Sequence, residues 1–166
     1  MPSRSGPRGG VAVAEFSARE WDLLVLLPGR VIVTATSRET DNPRRTVAEG
    51  LAGLEAVAAG RSFDSDLVRG VVAAIYAERT EDPTAAAATT RPGPPDLFDA
   101  CREATRILGR RADPADSAAY RQWIQSIAAR VCAASRSADA LGMGGEQQTA
   151  DERDFLAGLG RALRLG

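Results

Sequence analysis

The 166-residue sequence predicts an all-α fold: a compact bundle of about six helices, readable as two helix-loop-helix pseudo-repeats. Three observations carry this. Apolar residues recur at helical spacing along most of the chain, helix-start signals stand in front of these runs, and two long segments lie in register with each other. With 44% hydrophobic residues the chain has enough apolar surface for a core. Residues 1–12 read as a disordered basic arm, and residues 13–166 as a single helical domain with a Pro/Ala-rich crossing at 80–95.

The first helix is announced by "FSAREW". Ser17 is placed to cap the N–H three residues on, Glu20 to reach back to the Ser17 N–H, and Phe16 to staple onto Trp21. Trp21, Leu24, Val25, Pro28, Val31, Ile32 and Ala35 then follow helical spacing. A β-hairpin competes over this stretch, because Pro28-Gly29 favours a turn and "VIVTATS" is rich in β-branched residues. Local propensity slightly favours the hairpin. A comparison within the chain favours the helix. With Pro28 and Gly29 left out, "EWDLLVLLRVIVTATS" lies along "QWIQSIAARVCAASRS", residues 122–137, sharing the Trp, the Arg-Val pair and the closing Ser. The later segment is plainly helical, with Ile124, Ile127, Ala128, Val131 and Cys132 on one face. Pro28 then marks a kink or bulge and forfeits one backbone hydrogen bond.

The second helix has two candidate starts: Asn42 as cap with Pro43 in the first position, or a Thr46–Glu49 capping box one turn later. Gly60 stops it. The third spans 66–78, its face set by Leu67, Val68, Val71, Val72 and Ile75, and the prolines of the 80–95 crossing break any helix there. "DLFDACREATRILGRR" is the fourth helix, Asp113-Pro114 opens the fifth, and Thr149 with Glu152 repeats the Thr-x-x-Glu pattern before the sixth. Trp21 and Trp123, at matched places in the two halves, read as core anchors; Tyr76 and Tyr120 read as partly buried with their hydroxyls in water.

Composition removes several function classes. There is no His, so the Ser-His-Asp and Cys-His nucleophiles, the imidazole zinc ligand and the His proton shuttle are absent, and no catalysis is implied. All 21 basic residues are Arg, and a net charge of -1 offers no basic field for nucleic acid. Cys101 and Cys132 fall on apolar helix phases and read as buried free thiols. Acidic residues interrupt any signal-peptide core after the N-terminus. The apolar run 23–36 is short of the ~20 residues a bilayer requires and carries Arg30. No membrane is expected, and the compartment read is the cytoplasm. The small-residue helix "AEGLAGLEAVAAG" offers a face for a protein partner or self-association.

The stretch "GMGGEQQTADERDFLAGLGRAL" looks most like a site. A phosphate cradle needs N–H groups clear of negative charge, usually with a Lys and a preceding strand; Glu146, Asp151 and Glu152 stand here instead. Gln147 occupies the place of the third dinucleotide glycine. A calcium loop starting at Asp139 would need oxygen ligands at Leu141 and Met143 and a Glu at Ala150. The stretch is chiefly a helix start, with Thr149 as cap and Asp151 and Glu152 on the dipole. A looser, hydrated site for a divalent cation at Asp139, Glu146, Asp151 and Glu152 is the alternative, with no other cofactor expected. The Glu39–Asp41 loop is a second, lesser candidate, offset by Arg38, Arg44 and Arg45.

The two helix-loop-helix halves closed by "GGEQQTADERDFLAGLGRAL" resemble the tellurite-resistance TerB-like family of all-helical domains. That family shows Asp-Gly, a short gap, Ser or Thr, two residues, Glu and an apolar helix. Thr149, Glu152, Phe155 and Leu156 match the latter part, Gly144 and Gly145 approximate the former, and Thr46 and Glu49 match in the first half, where Asn42-Pro43 replaces Asp-Gly. The resemblance implies an all-helical bundle and a stress-response role. The opening Phe-Ser-x-x-Glu-Trp also resembles that of a group of actinobacterial proteins, which implies no activity. The function expected is a small helical binding or interaction protein, the alternative a metal- or small-ligand-binding domain using its acidic interhelical loops.

Overall fold

The computed structural model describes residues 15–36, 43–81, 96–140 and 149–165. They form six α-helices: α1 (Ala18–Thr36), α2 (Pro43–Ala59), α3 (Asp66–Glu81), α4 (Leu97–Arg111), α5 (Pro114–Ala140) and α6 (Ala150–Ala162). A 3-10 turn at Gly60–Ser62 follows α2, and among the described residues there is no strand. The predicted basic arm and nearly all of the Pro/Ala-rich crossing lie outside the described residues, α3 itself running to Glu81. No described helix is long and apolar enough to cross a membrane.

Local chemistry explains the helix starts. Ser17 and Glu20 form the reciprocal pair, the Ser17 N–H donating to Glu20 Oε2 at 2.9 Å and the Glu20 N–H to Ser17 Oγ at 3.2 Å. That Ser17 N–H, with Arg111 also nearby, holds the Glu20 carboxyl below its ordinary range. Phe16 staples onto Trp21, ring centroids 6.1 Å apart. Ser65 accepts from the Val68 N–H at 3.2 Å, Asp96 from Asp99 at 3.0 Å, and Asp113 from Ala115 and Asp116 at 2.7 and 3.1 Å. Helix α2 takes the earlier of its two candidate starts, at Pro43. Thr46 and Glu49 are therefore already helical and form no capping box there.

The disputed stretch 23–36 is helical throughout. It reads as strand locally because α1 packs on α2, α3, α4 and α5, and a helix enclosed on several sides needs apolar residues nearly all round. Leu23, Leu24, Val25, Leu27, Pro28, Val31 and Ala35 are all buried.

Pro28 lacks an N–H, so the Leu24 carbonyl one turn earlier loses its helical partner inside the core. Tyr120 of α5 replaces that partner: its hydroxyl donates to the Leu24 oxygen at 2.7 Å. Tyr120 is 0% exposed, which corrects the expectation of a hydroxyl in water. Burial raises its phenol well above the ordinary range. Nearly one turn further along α5, Trp123 donates Nε1–H to the Ala56 carbonyl at 3.1 Å, among the last carbonyls of α2. The two rings meet edge-on, centroids 5.8 Å apart. Gly60 is required beside them, since a Cβ there would stand 2.8 Å from Trp123 Nε1.

Trp123 is the core anchor its spacing predicts, whereas Trp21 is only partly buried. The two predicted halves correspond to α1 with α2 and α5 with α6. Packing treats the halves differently: α2 lies along α5, while α6 rests on α4 and α5. Both cysteines are free and buried, and burial pushes the Cys101 thiol up to about 12.

Tyr120→Phe will leave the Leu24 carbonyl unpartnered at a cost of about 1 to 3 kcal/mol in urea unfolding. Pro28→Ala restores a backbone donor, so the cost of Tyr120→Phe will shrink in that background; an additive double-mutant cycle would sink the assignment. Stability will also fall at high pH. Cys101 stays protonated in the fold up to about 12 while the unfolded thiol ionises from about 9, so its contribution is complete below pH 9 and lost as pH rises to 12. Tyr120 adds to the loss above pH 10, and Cys101→Ala will flatten the earlier part of the urea-midpoint decline.

Candidate functional site

At one end of the bundle, α1 and α5 finish beside the starts of α2 and α6. Their side chains line a partly open cavity of about 190 Å³. Ala35 comes from α1, Arg45 and Glu49 from α2, Cys132 and Ser135 from α5, and Thr149, Asp151 and Glu152 from α6. The two Thr-x-x-Glu glutamates thus face one cavity although only one belongs to a cap.

Helical phase places the first of them. The buried row of α2 is Glu49, Gly53, Ala56 and Val57, so the turn that seats Ala56 and Val57 in the core also carries Glu49 inward. Gly53 makes room, since a Cβ there would lie 2.8 Å from the Ile32 side chain. Glu49 is 2% exposed and keeps its charge company through Arg45, whose Nε donates to Oε1 at 3.0 Å. Burying a carboxylate without such pairing costs several kcal/mol, roughly.

Glu152 is placed by its cap. Its N–H donates to Thr149 Oγ1 at 3.1 Å, the Thr149 N–H donates back to Oε2 at 3.4 Å, and Arg136 Nη1 donates to the same Oε2 at 3.1 Å. The predicted capping box at α6 is therefore complete. Glu152 is buried, Asp151 exposed.

Two residues of the wall each carry a buried polar atom that is unsatisfied. Glu49 Oε2 and Ser135 Oγ have no hydrogen-bond partner, and Ser135 is 3% exposed. Native folds leave few such atoms without a partner of some kind.

Of the four predicted cation ligands, Asp151 and Glu152 line this cavity. Asp139 falls in the last turn of α5 with its side chain outside the described residues, as are Glu146, Gly142–Gly145 and the Glu39–Asp41 loop. Among the described residues no group of three or more His, Cys, Asp or Glu stands close enough to hold a metal ion. Glu152, moreover, already accepts from an Arg and a backbone N–H. The described part alone does not fit a divalent cation.

Sequence reading missed Ser135 and Arg136, named Arg45 only as an offset to the Glu39–Asp41 loop, and weighed Glu49 only as part of one of two candidate caps. The signal available was the recurrence of Thr-x-x-Glu in both halves. No family model, curated protein or solved structure matches the chain.

Thr149→Ala will destabilise the chain by about 1 kcal/mol, the usual worth of a cap. Glu152→Ala will cost more, since it also strands Arg136, and the two losses will not add because they share one box. Urea titrations of the single and double variants measure both points.

Proposed function

We propose that the chain is a small helical interaction module whose working surface is the outward face of α2. The observation that carries this is a row of exposed apolar side chains: Val47 is 62% exposed, Leu51 57% and Leu54 40%. At four- and three-residue steps they lie on one stripe of the helix. Gly50 stands within the stripe with nothing near its Cβ side, so another helix could approach closely. An apolar row of this kind marks an association surface better than isolated exposed residues do. Self-association is the version favoured, because a two-fold axis across Gly50 lays the same row against itself. A protein partner with a matching apolar helix is the other.

The likeness to the TerB-like family supports a stress-response setting without catalysis, and two free buried thiols support the reducing cytoplasm. A net charge of -1 without Lys speaks against nucleic acid.

The acid-lined cavity favours a second reading, a divalent cation or small polar ligand held at the interhelical loops. Its metal version depends on Asp139 and Glu146 joining Asp151 and Glu152. Calorimetry with calcium, magnesium and zinc tests it: heat and a thermal shift support the metal, and their absence removes it.

For the leading reading, sedimentation velocity over a concentration series will show a reversible dimer. Val47→Glu with Leu51→Glu will make it monomeric while leaving the melting temperature almost unchanged, since exposed substitutions shift stability by about 0.5 kcal/mol or less. A chain that stays monomeric at its highest soluble concentration overturns self-association.

A further inference from the structure

Among the described residues, the large apolar side chains that stand exposed are Val33, Val47, Leu51 and Leu54. Three belong to the α2 stripe; Val33, 53% exposed, belongs to α1. Whether it extends the stripe depends on how the two helices lie.

They run antiparallel. Ile32 packs where a Cβ on Gly53 would stand, and Ala35, three residues further along α1, shares the cavity wall with Glu49 and Arg45, which come earlier on α2 than Gly53. Ile32 and Gly53 thus mark the line along which the helices face each other. At about 100° per residue, Gly29 and Val33 are turned from Ile32 by the same angles, and in the same sense, as Gly50 and Leu54 are from Gly53. In an antiparallel pair, equal turns from the facing line end on the same side. Val33 and Leu54 therefore flank one outer seam. Gly29 and Gly50 floor it, with nothing within 4 Å of the place of either Cβ. The exposed apolar side chains form one platform built from two helices. The α2 stripe alone, about 11 Å from Val47 to Leu54, is narrow beside the ~800 Å² that each partner of a standard-size complex buries, and α1 widens it by a second helix.

Charge sets the direction in which a second copy lies on this platform. Arg44 and Glu55 are both exposed and share the ridge of Leu51, seven residues before it and four after. A parallel copy would set Arg44 beside Arg44 and Glu55 beside Glu55. An antiparallel copy, centred between Glu49 and Gly50, sets Arg44 beside Glu55 of the other chain at both ends, while Val47 and Leu51 interleave. Only sign and position enter here, so Arg44 keeps whatever contacts it makes within its own chain. Exposed ion pairs are weak; the charges set orientation, and apolar burial supplies the affinity.

We propose that the chain forms a reversible antiparallel dimer in which the α1–α2 platform of one copy stacks on that of another, about a two-fold axis beside Gly50. This rests on the self-association reading above and adds to it a second helix, the contact residue Val33 and the direction of the partner.

Sedimentation velocity on the full chain tests it, with the melting temperature as the control for folding. Val33→Glu will raise the dissociation constant about tenfold or more at an unchanged melting temperature. Glu55→Arg will raise it several-fold, and adding Arg44→Glu will restore it, because the swapped pair attracts again. A parallel dimer would be indifferent to both charge changes. Gly50→Cys will form an interchain disulfide under mild oxidation and Leu54→Cys will not, since only position 50 meets its own copy. The cysteine pair leaves α1 untouched and decides the orientation should Val33→Glu melt early. A dimer indifferent to Val33→Glu or to the charge changes, or one in which Leu54→Cys cross-links as readily as Gly50→Cys, overturns the proposal and leaves self-association through α2 standing. A chain that is monomeric at every concentration removes both.

Discussion

A proline in the middle of a buried helix leaves one carbonyl facing apolar neighbours, and the arrangement of α1, α2 and α5 follows from how that carbonyl is met. The Leu24 oxygen accepts the Tyr120 hydroxyl, which fixes α5 against α1 at one height and one rotation. Trp123, three residues on, bonds the Ala56 carbonyl and thereby sets α2 against the same helix. Hydrophobic burial is non-directional and would tolerate these helices sliding past one another. Two hydrogen bonds from a single stretch of α5 supply the register that burial cannot, and their location inside the core makes the alternative registers costly.

That register has a consequence at the loop end of the bundle. With Ala56 and Val57 seated against α5, helical phase carries Glu49 into the interior two turns earlier, where Arg45 pairs with one oxygen and the other finds no donor. Helix α6 arrives at the same place by a different route, its capping box turning Glu152 inward to Arg136. Two acidic residues that share a sequence pattern thus share a cavity for separate reasons, one of packing phase and one of helix termination. The polarity of this end contrasts with the rest of the interior, where Leu, Val, Ile and Ala dominate.

Helix α2 has two faces of different character. Its inner row ends at the cavity through Glu49, and its outer row presents Val47, Leu51 and Leu54 to solvent. Its many small residues serve both faces: Gly53 admits the Ile32 side chain on the inside, and Gly50 leaves the outer surface low.

The sequence alone determined the helix count and most helix starts. Ser17 with Glu20, Asp96, Asp113-Pro114 and Thr149 with Glu152 act within a few residues of themselves, so their chemistry is readable without neighbours. The periodic rows of α3 and α5 were legible for the same reason, as was the burial of Cys101 and Cys132. Other features were decided only when distant segments met. Whether 23–36 was helix or hairpin depended on its being enclosed by four other helices, which its propensities argued against. The roles of Tyr120 and Pro28 are one fact split across the chain. The tyrosine by itself pointed toward water, and the proline only toward a helix short of one hydrogen bond, with nothing local to say what would replace it. The cavity belongs to this second group as well, because an unpaired oxygen is a property of what surrounds it, and the surroundings of Glu49 and Ser135 come from four helices.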